Sequence, residues 1–249
     1  MTKLDQSSGG WSQRTHPFPH ILCENVFSDA VYQQLVCGLR GALRQADERG
    51  ASDRMPNYGA DIVSLTPGCR RSVPILLERD WHDRLAAALG IEHSGEIDVG
   101  IHRHPVGSPT GWVHNDFNPG YFQEAALPGE AVMSDHALCD YRTGACISRG
   151  IGPVERMRAA LMIYYLDSEW QPGCGGETGL YSHAHQPPDE PDARVPPRNN
   201  SMLLFECTPH SYHCYLTNTQ YPRHTYVLWL HRTAEASSDK WGAANVVRW

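Results

Sequence analysis

Apolar residues follow a helical register before about residue 90 and an alternating or continuous one after it. Ser28 stands ahead of Val31, Leu35, Val36, Leu39 and Leu43, whose spacing predicts a helix running to about Arg49. A second helical region is predicted over Val73 to Leu89, strongest from Trp81, with Gly90 as its stop. From Glu96 the period shortens. Ile97, Val99 and Ile101 alternate and predict a strand that ends at Pro105. Further strands are predicted over Trp112 to Phe117, Arg158 to Leu166, Ser201 to Glu206, Ser211 to Leu216 and Thr225 to His231. Phe18 to Phe27 reads as an entering strand and Gly59 to Val63 as a short one.

The connections carry their own signals. Gly173 to Gly176 is a glycine-rich turn needing positive φ, with Glu177 leading into another strand. Gln186 to Asn200, with five prolines, reads as an outer loop. Pro119 to Gly152 shows no sustained period, and an irregular connection of that length predicts an insertion or lid. Two helices followed by seven or eight strands predict an α+β domain, mainly β, with a sandwich or jelly-roll core flanked by N-terminal helices. Residues 16–249 are expected to form one domain with its core at about 97–232 and a lid at about 119–152. Residues 1–15 are polar and are expected to be a flexible N-terminus.

Composition narrows the function classes. The 249 residues carry 21 Lys+Arg against 28 Asp+Glu, a net charge of −7, and only Lys3 and Lys240 are lysines. Binding along a phosphate backbone needs clustered cations, so no nucleic-acid partner is expected. No apolar run reaches a membrane span, and Met1 to Gly10 has no secretory core segment, so the expectation is a cytoplasmic protein. The eight cysteines form no C-x-x-C pair and are expected to be scattered, reduced thiols. Composition leaves oligomeric state open.

The candidate chemistry begins at Gly111-Trp112-Val113-His114-Asn115-Asp116. A His and an Asp two apart in an extended segment point the same way, because strand side chains alternate. One distant imidazole would complete two nitrogens and one oxygen on one face of a metal, the triad of non-haem iron(II) oxygenases. His210 and His213 both sit beside the strand starting near Ser211, and residue pattern alone leaves the choice between them open.

The run Met162 to Trp170 followed by Gly175-Gly176-Glu177 resembles the prolyl-4-hydroxylase-like 2-oxoglutarate/iron(II)-dependent dioxygenase family. So does the tail of Phe205, Pro209, Ser211-Tyr212-His213, Pro222-Arg223 and the strand to Trp229. These motifs stand in the family's order over about residues 97–232. The resemblance implies a double-stranded β-helix, a jelly-roll or cupin-like fold, with Fe(II), 2-oxoglutarate and O2 as cofactors and ascorbate as a reductant. It implies His114, Asp116 and His213 as iron ligands, because Arg223 lies at the family's usual offset of ten from the distal histidine; His210 becomes a rim residue. Arg223 would grip the far carboxylate of 2-oxoglutarate as a planar fork. Thr225, facing the same way, would add a hydroxyl, with Tyr165, Ile163 and His104 lining that cosubstrate face. Asp116 is the carboxylate that family halogenases lack, so hydroxylation is expected.

Trp112, Asn118, Tyr121, Phe122 and the lid residue Arg142 are the candidates for substrate contact, with His102 a weaker one on the strand of His104. His183, His185, His224 and His231 are expected at the surface or as satisfied core groups. The absence of a recognition domain points to hydroxylation of an unactivated C–H in a small-molecule substrate, such as a free amino acid in a biosynthetic pathway, with release of succinate and CO2. The alternatives are a peptide or protein prolyl-type hydroxylase, and a cupin-like metalloenzyme that does not use 2-oxoglutarate.

Overall fold

A computed structural model describes residues 10–50, 53–54, 59–147, 152–166 and 169–248. The chain runs β1 (Trp11–Arg14), β2 (His20–Glu24), α1 (Asp29–Arg49), β3 (Asp53–Arg54), β4 (Asp61–Ser64), α2 (Arg79–Leu89) and β5 (Glu96–His104). It continues through β6 (Pro119–Phe122), β7 (Val132–Met133), β8 (Val154–Leu166), β9 (Thr178–Tyr181), β10 (Ala193–Val195), β11 (Ser201–Glu206) and β12 (Tyr212–Tyr215). The last elements are β13 (Arg223–Thr233) and α3 (Ala234–Trp241).

The large sheet has the order β1-β2-β11-β8-β13-β5-β4-β3, with β6 added on β8 and β7 on β5; β10-β9-β12 form a second sheet. Alternation along the central strands separates two cores. Met162, Tyr164, Tyr226, Leu228, Val99 and Ile101 face a cluster with Leu35 and Leu39 of α1 and Leu85 of α2. Leu161, Ile163, Tyr165, Val227 and Trp229 face the other way, toward Leu180 of the second sheet. The fold is therefore a double-stranded β-helix with helices on its outer face, as expected.

The helix ends follow local chemistry. Gly50 and Gly90 take left-handed φ of 60° and 65°, which glycine adopts without a Cβ clash. Ser28 occupies the N-cap of α1, but its hydroxyl makes no capping bond. The second helical region starts later than its spacing predicts. Pro74–Leu77 is a separate 3-10 turn, and extended Glu78 resets the chain before α2.

Other elements also depart from expectation. Trp11–Arg14 pairs with β2, so the expected flexible stretch does not extend over these residues; 1–9 lie outside the described residues. Trp112 to Phe117 is not a strand. Only His114 bridges His213, and the ladder stops where Asn115 Oδ1 accepts from Phe117 N (3.1 Å) and Asp116 O from Asn118 N (2.9 Å). Pro119 to Gly152 is not irregular throughout. It contributes β6 and β7, and Cys139 and Cys146 bridge a hairpin within it. Gly120 in β6 packs so tightly on the Tyr141 ring that any Cβ would collide with it. The outer loop of 186–200 holds β10. Helix α3 carries no amphipathic signal that betrayed it; Thr233 Oγ1 caps it by accepting from Ala236 N.

One irregularity positions the site. β8 pairs β13 in simple register down to Leu230↔Ala160, and the next pair is His231↔Arg158. Ala159 is thus an extra residue in β8, a bulge that reverses which side chains face inward.

Candidate active site

The inner faces of β5, β8 and β13, with the second sheet opposite, enclose a cavity of about 400 Å³. His114, Asp116 and His213 line it, and their ligand-capable atoms lie within 4.8 Å of one another. His114 and His213 exchange backbone hydrogen bonds (3.1 and 2.8 Å), which brings their rings to 4.5 Å between centroids. Each ring directs Nδ1 at the carbonyl two residues before it: Trp112 O at 2.9 Å for His114, Ser211 O at 3.1 Å for His213. A proton on each Nδ1 leaves both Nε2 lone pairs turned inward, the tautomer a metal ligand needs. His213 Nε2 lies 3.7 Å from Asp116 Oδ2.

Burial holds His213 mostly unprotonated, its pKa pushed down to about 4 by desolvation and then by His114. Burial alone would raise the Asp116 pKa, but the Arg158 guanidinium and the neighbouring imidazoles hold it well below the usual carboxylate range. Two imidazoles and an ionised carboxylate in one cluster suit a divalent cation. His210, three residues away from His213, is exposed and its N–H serves a local turn on Thr208.

Asp116 is held at both oxygens. Arg158 Nη1 donates to Oδ1 at 2.7 Å and also to Asn118 Oδ1 at 3.2 Å; Trp229 Nε1 donates to Oδ2 at 2.8 Å. The Arg158 guanidinium lies 4.0 Å over the Trp229 ring. No expectation from the sequence has Arg158 or Trp229 holding Asp116. Strict alternation from Ile163 and Leu161 sends Arg158 outward, and the Ala159 bulge turns it in. Trp229 lies six beyond Arg223 on the same inward face, so alternation along β13 was the signal that could have found it.

Arg223 is buried at the other end of the cavity. Its Nη2 donates to Thr178 Oγ1 at 2.9 Å, and its guanidinium lies 5.3 and 5.1 Å from the Tyr165 and Tyr215 ring centres. Among the described residues no carboxylate lies within 4.0 Å of it. A buried guanidinium costs several kcal/mol of desolvation without a partner, so this end of the cavity fits a carboxylate that the chain itself does not supply. That is the end group 2-oxoglutarate would bring.

The remaining candidates divide. Ile163 and Thr225 line the cavity, and Tyr165 is buried behind them with its hydroxyl 2.7 Å from Thr178 Oγ1. His104 does not line the cavity. It stacks on Tyr215 at 3.7 Å behind Arg223, whereas His102 reaches the cavity. Alternation puts both on one face of β5, but His104 lies opposite Arg223, whose side chain and Tyr215 occupy the space in front of it. Trp112, Asn118 and Arg142 line the cavity; Tyr121 and Phe122 do not. Phe122 packs on Tyr141 and His231 instead, and β6 carries Tyr121 away beside Gly144. The wall near Arg158 adds Asp98, His136 and Tyr141. Asp98 accepts from Ser134 Oγ at 2.5 Å, and the Tyr141 hydroxyl bonds His231 Nε2. His183 and His185 are exposed, His224 is half-buried and His231 is a core group, as expected.

Comparison with known proteins bears on family and fold. Residues 138–231 match the model of the 2OG-Fe(II) oxygenase superfamily. No curated protein matches the chain. Among solved structures, a prolyl-4-hydroxylase of Pseudomonas putida is similar at 17% identity and TM-score 0.52, over 90% of this chain and 94% of that one. A viral collagen prolyl hydroxylase of Paramecium Bursaria Chlorella virus-1, in its 2OG complex, is similar at 14% identity and TM-score 0.54, over 86% and 96%. A Trichoplax adhaerens prolyl hydroxylase in complex with a hypoxia inducible factor peptide fragment is similar at 15% and 0.54, over 89% and 86%. These three likenesses are of fold. Among the described residues no helix is long and apolar enough to cross a membrane.

Proposed function

We propose that this chain is a 2-oxoglutarate/iron(II)-dependent dioxygenase of the prolyl-4-hydroxylase-like family and hydroxylates a small zwitterionic metabolite such as a free amino acid. His114, Asp116 and His213 would hold the iron, and Arg223, with Thr225 beside it, the far carboxylate of 2-oxoglutarate. When bound, iron and 2-oxoglutarate supply the oxidising power, with O2 consumed and succinate and CO2 released. The chain supplies the rest. Arg158 and Trp229 orient the Asp116 carboxylate, the two backbone carbonyls fix the imidazole tautomers, and Ile163, Leu161 and Val227 keep water from the cosubstrate end.

The observation that carries this reading is one cavity shared by a His-Asp-His cluster and a buried arginine without a carboxylate. The wall near Arg158 presents Asp98 and Asp140 with Arg142, both signs of charge lining one cavity. A cavity of about 400 Å³ is at the modest end of ligand sites, which favours a compact substrate beside the cosubstrate. The hairpin bearing Asp140, Tyr141 and Arg142 is the part of the 119–152 segment that would act as a lid.

The test is aerobic turnover with iron(II), ascorbate, labelled 2-oxoglutarate and two panels, free amino acids and proline-containing peptides. Substrate-dependent succinate with a mass gain of one oxygen on a free amino acid is expected. Gain on peptides alone would transfer the reading to a prolyl-type peptide hydroxylase, as the fold neighbours' activities suggest. His114→Ala, Asp116→Ala and His213→Ala are each expected to abolish turnover, whereas His210→Ala retains it.

A further inference from the structure

The hairpin that walls the substrate side of the cavity has an unexplained feature at its base. Cys139 and Cys146 are thiols bridged across it as an isolated antiparallel pair. Asp140 N donates to Ala145 O (2.9 Å) and Ile147 N to Leu138 O (3.0 Å), one bond on each side of the cysteines. The pair itself exchanges none, so it is a non-hydrogen-bonded position of the ladder. There the Cα atoms approach to about 4.5 Å and side chains come closest, inside the range a disulfide spans. The two Sγ atoms lie 2.7 Å apart. Unbonded heavy atoms pack at roughly 3.5–4.0 Å, so these sulfurs are nearer than two thiols rest.

The loop between them is already folded for closure. Asp140 Oδ1 accepts from Arg142 N and Thr143 N, both at 2.8 Å, and Gly144 turns the chain at φ 72°. No backbone rearrangement is needed to bring the sulfurs together. Asp140, Tyr141 and Arg142, all inside the ring that closure would form, line the cavity.

We infer that Cys139 and Cys146 are a reversible disulfide-forming site that clips the cavity wall, oxidised by a low-molecular-weight disulfide of the glutathione class. Cys146 is half-buried and Cys139 is 2% exposed, so Cys146 attacks first. Its sulfur, as thiolate, bonds one sulfur of the small disulfide, breaks that S–S bond and releases one small thiol, which takes the proton Cys146 lost. Cys139 then attacks the Cys146 sulfur of the mixed disulfide and releases the second small thiol, which carries the Cys139 proton. Two protein thiols are oxidised by two electrons, and one small disulfide is reduced to two thiols. Burial pushes the Cys139 thiol up, which favours Cys146 as the first to react.

The whole protein, incubated with oxidised glutathione or with dithiothreitol, is denatured in acid, alkylated and digested for mass spectrometry. Of the eight cysteines, six are expected to alkylate after oxidation, with one linked peptide joining Cys139 to Cys146; dithiothreitol restores eight. Hydrogen exchange over 140–145 is expected to slow at least about tenfold on oxidation and to be indifferent to oxidant in Cys146→Ser. Eight alkylated thiols after oxidation overturn the inference. So does the recovery of Cys139 and Cys146 as separate glutathione adducts, or joined to other cysteines.

Discussion

Two buried arginines line the same cavity, and they differ in one respect. Arg158 faces a carboxylate of its own chain, Asp116 at 2.7 Å, while Arg223 faces a hydroxyl and two aromatic rings. The same side chain therefore does opposite work at the two ends. Arg158 is neutralised and acts on the protein, fixing Asp116 where His114 and His213 converge. Arg223 is buried with no carboxylate against it among the described residues, which is a standing demand for an anion from outside. Burial alone does not distinguish the two arginines; the group each one faces does.

The largest effect separates the two in the ligand-free protein. Arg158→Met is expected to lower stability by about 3–5 kcal/mol, because it strands Asp116 as a buried, uncompensated charge. In a thermal melt that is a fall on the order of 10 °C. Arg223→Met, which strands nothing, is expected to be neutral or stabilising, and Arg158→Met combined with Asp116→Asn should recover most of the loss. Equal melting of the two single variants would erase the distinction.

The roles then reverse when 2-oxoglutarate is titrated. Arg223→Met is expected to weaken its binding at least a hundredfold, about 2.8 kcal/mol, with metal affinity nearly unchanged. Calorimetric titration of both ligands decides it, and an unchanged 2-oxoglutarate affinity would move the anion site to another residue. A smaller change is expected from Trp229→Phe, which removes the second donor to Asp116 but keeps the ring under Arg158. Metal affinity should drop about tenfold, read by competition with a chelating dye, without a shift in 2-oxoglutarate binding.

The smallest effect concerns protons. Burial, then Arg223, hold His102 down at about 3. In Arg223→Met its titration, followed by imidazole NMR, should move upward, and Arg158→Met should move it less. A background slope accompanies this. His82 and His231 are pushed from 6.5 to about 4 by burial. The unfolded chain takes up their protons first as pH falls, so the stability of the neutral forms is complete above about 6.5 and drains away toward 4. A flat stability profile across that window would contradict their neutral burial.

What was legible in the sequence was whatever alternation governs directly. Ile163 and Tyr165 against Tyr164, Arg223 with Thr225, and the strand of His213 all follow from a period of two, and the structure places them accordingly. The family order supplied the pairing of His213 with Arg223, which spacing alone could not. What escaped had a local cause each time. Asn115 and Asp116 spend their groups on turns, so His114-x-Asp116 sits in an extended segment rather than a strand. β6 hides behind Pro119 and Gly120, residues that read as loop. His104 and His102 exchanged importance because the face of a strand does not say what stands in front of it.

The extra residue at Ala159 has a consequence for how such an enzyme can change over generations. It divides β8 into two inheritable registers. Odd Leu161 and Ile163 line the cavity on one side of the bulge, while even Arg158 on the other holds Asp116. A change at Leu161 or Ile163 reshapes the cavity wall without touching the Arg158–Asp116 pair, so the wall can drift without disturbing Asp116. A strand of unbroken alternation would tie the two together; this one lets selection adjust them separately.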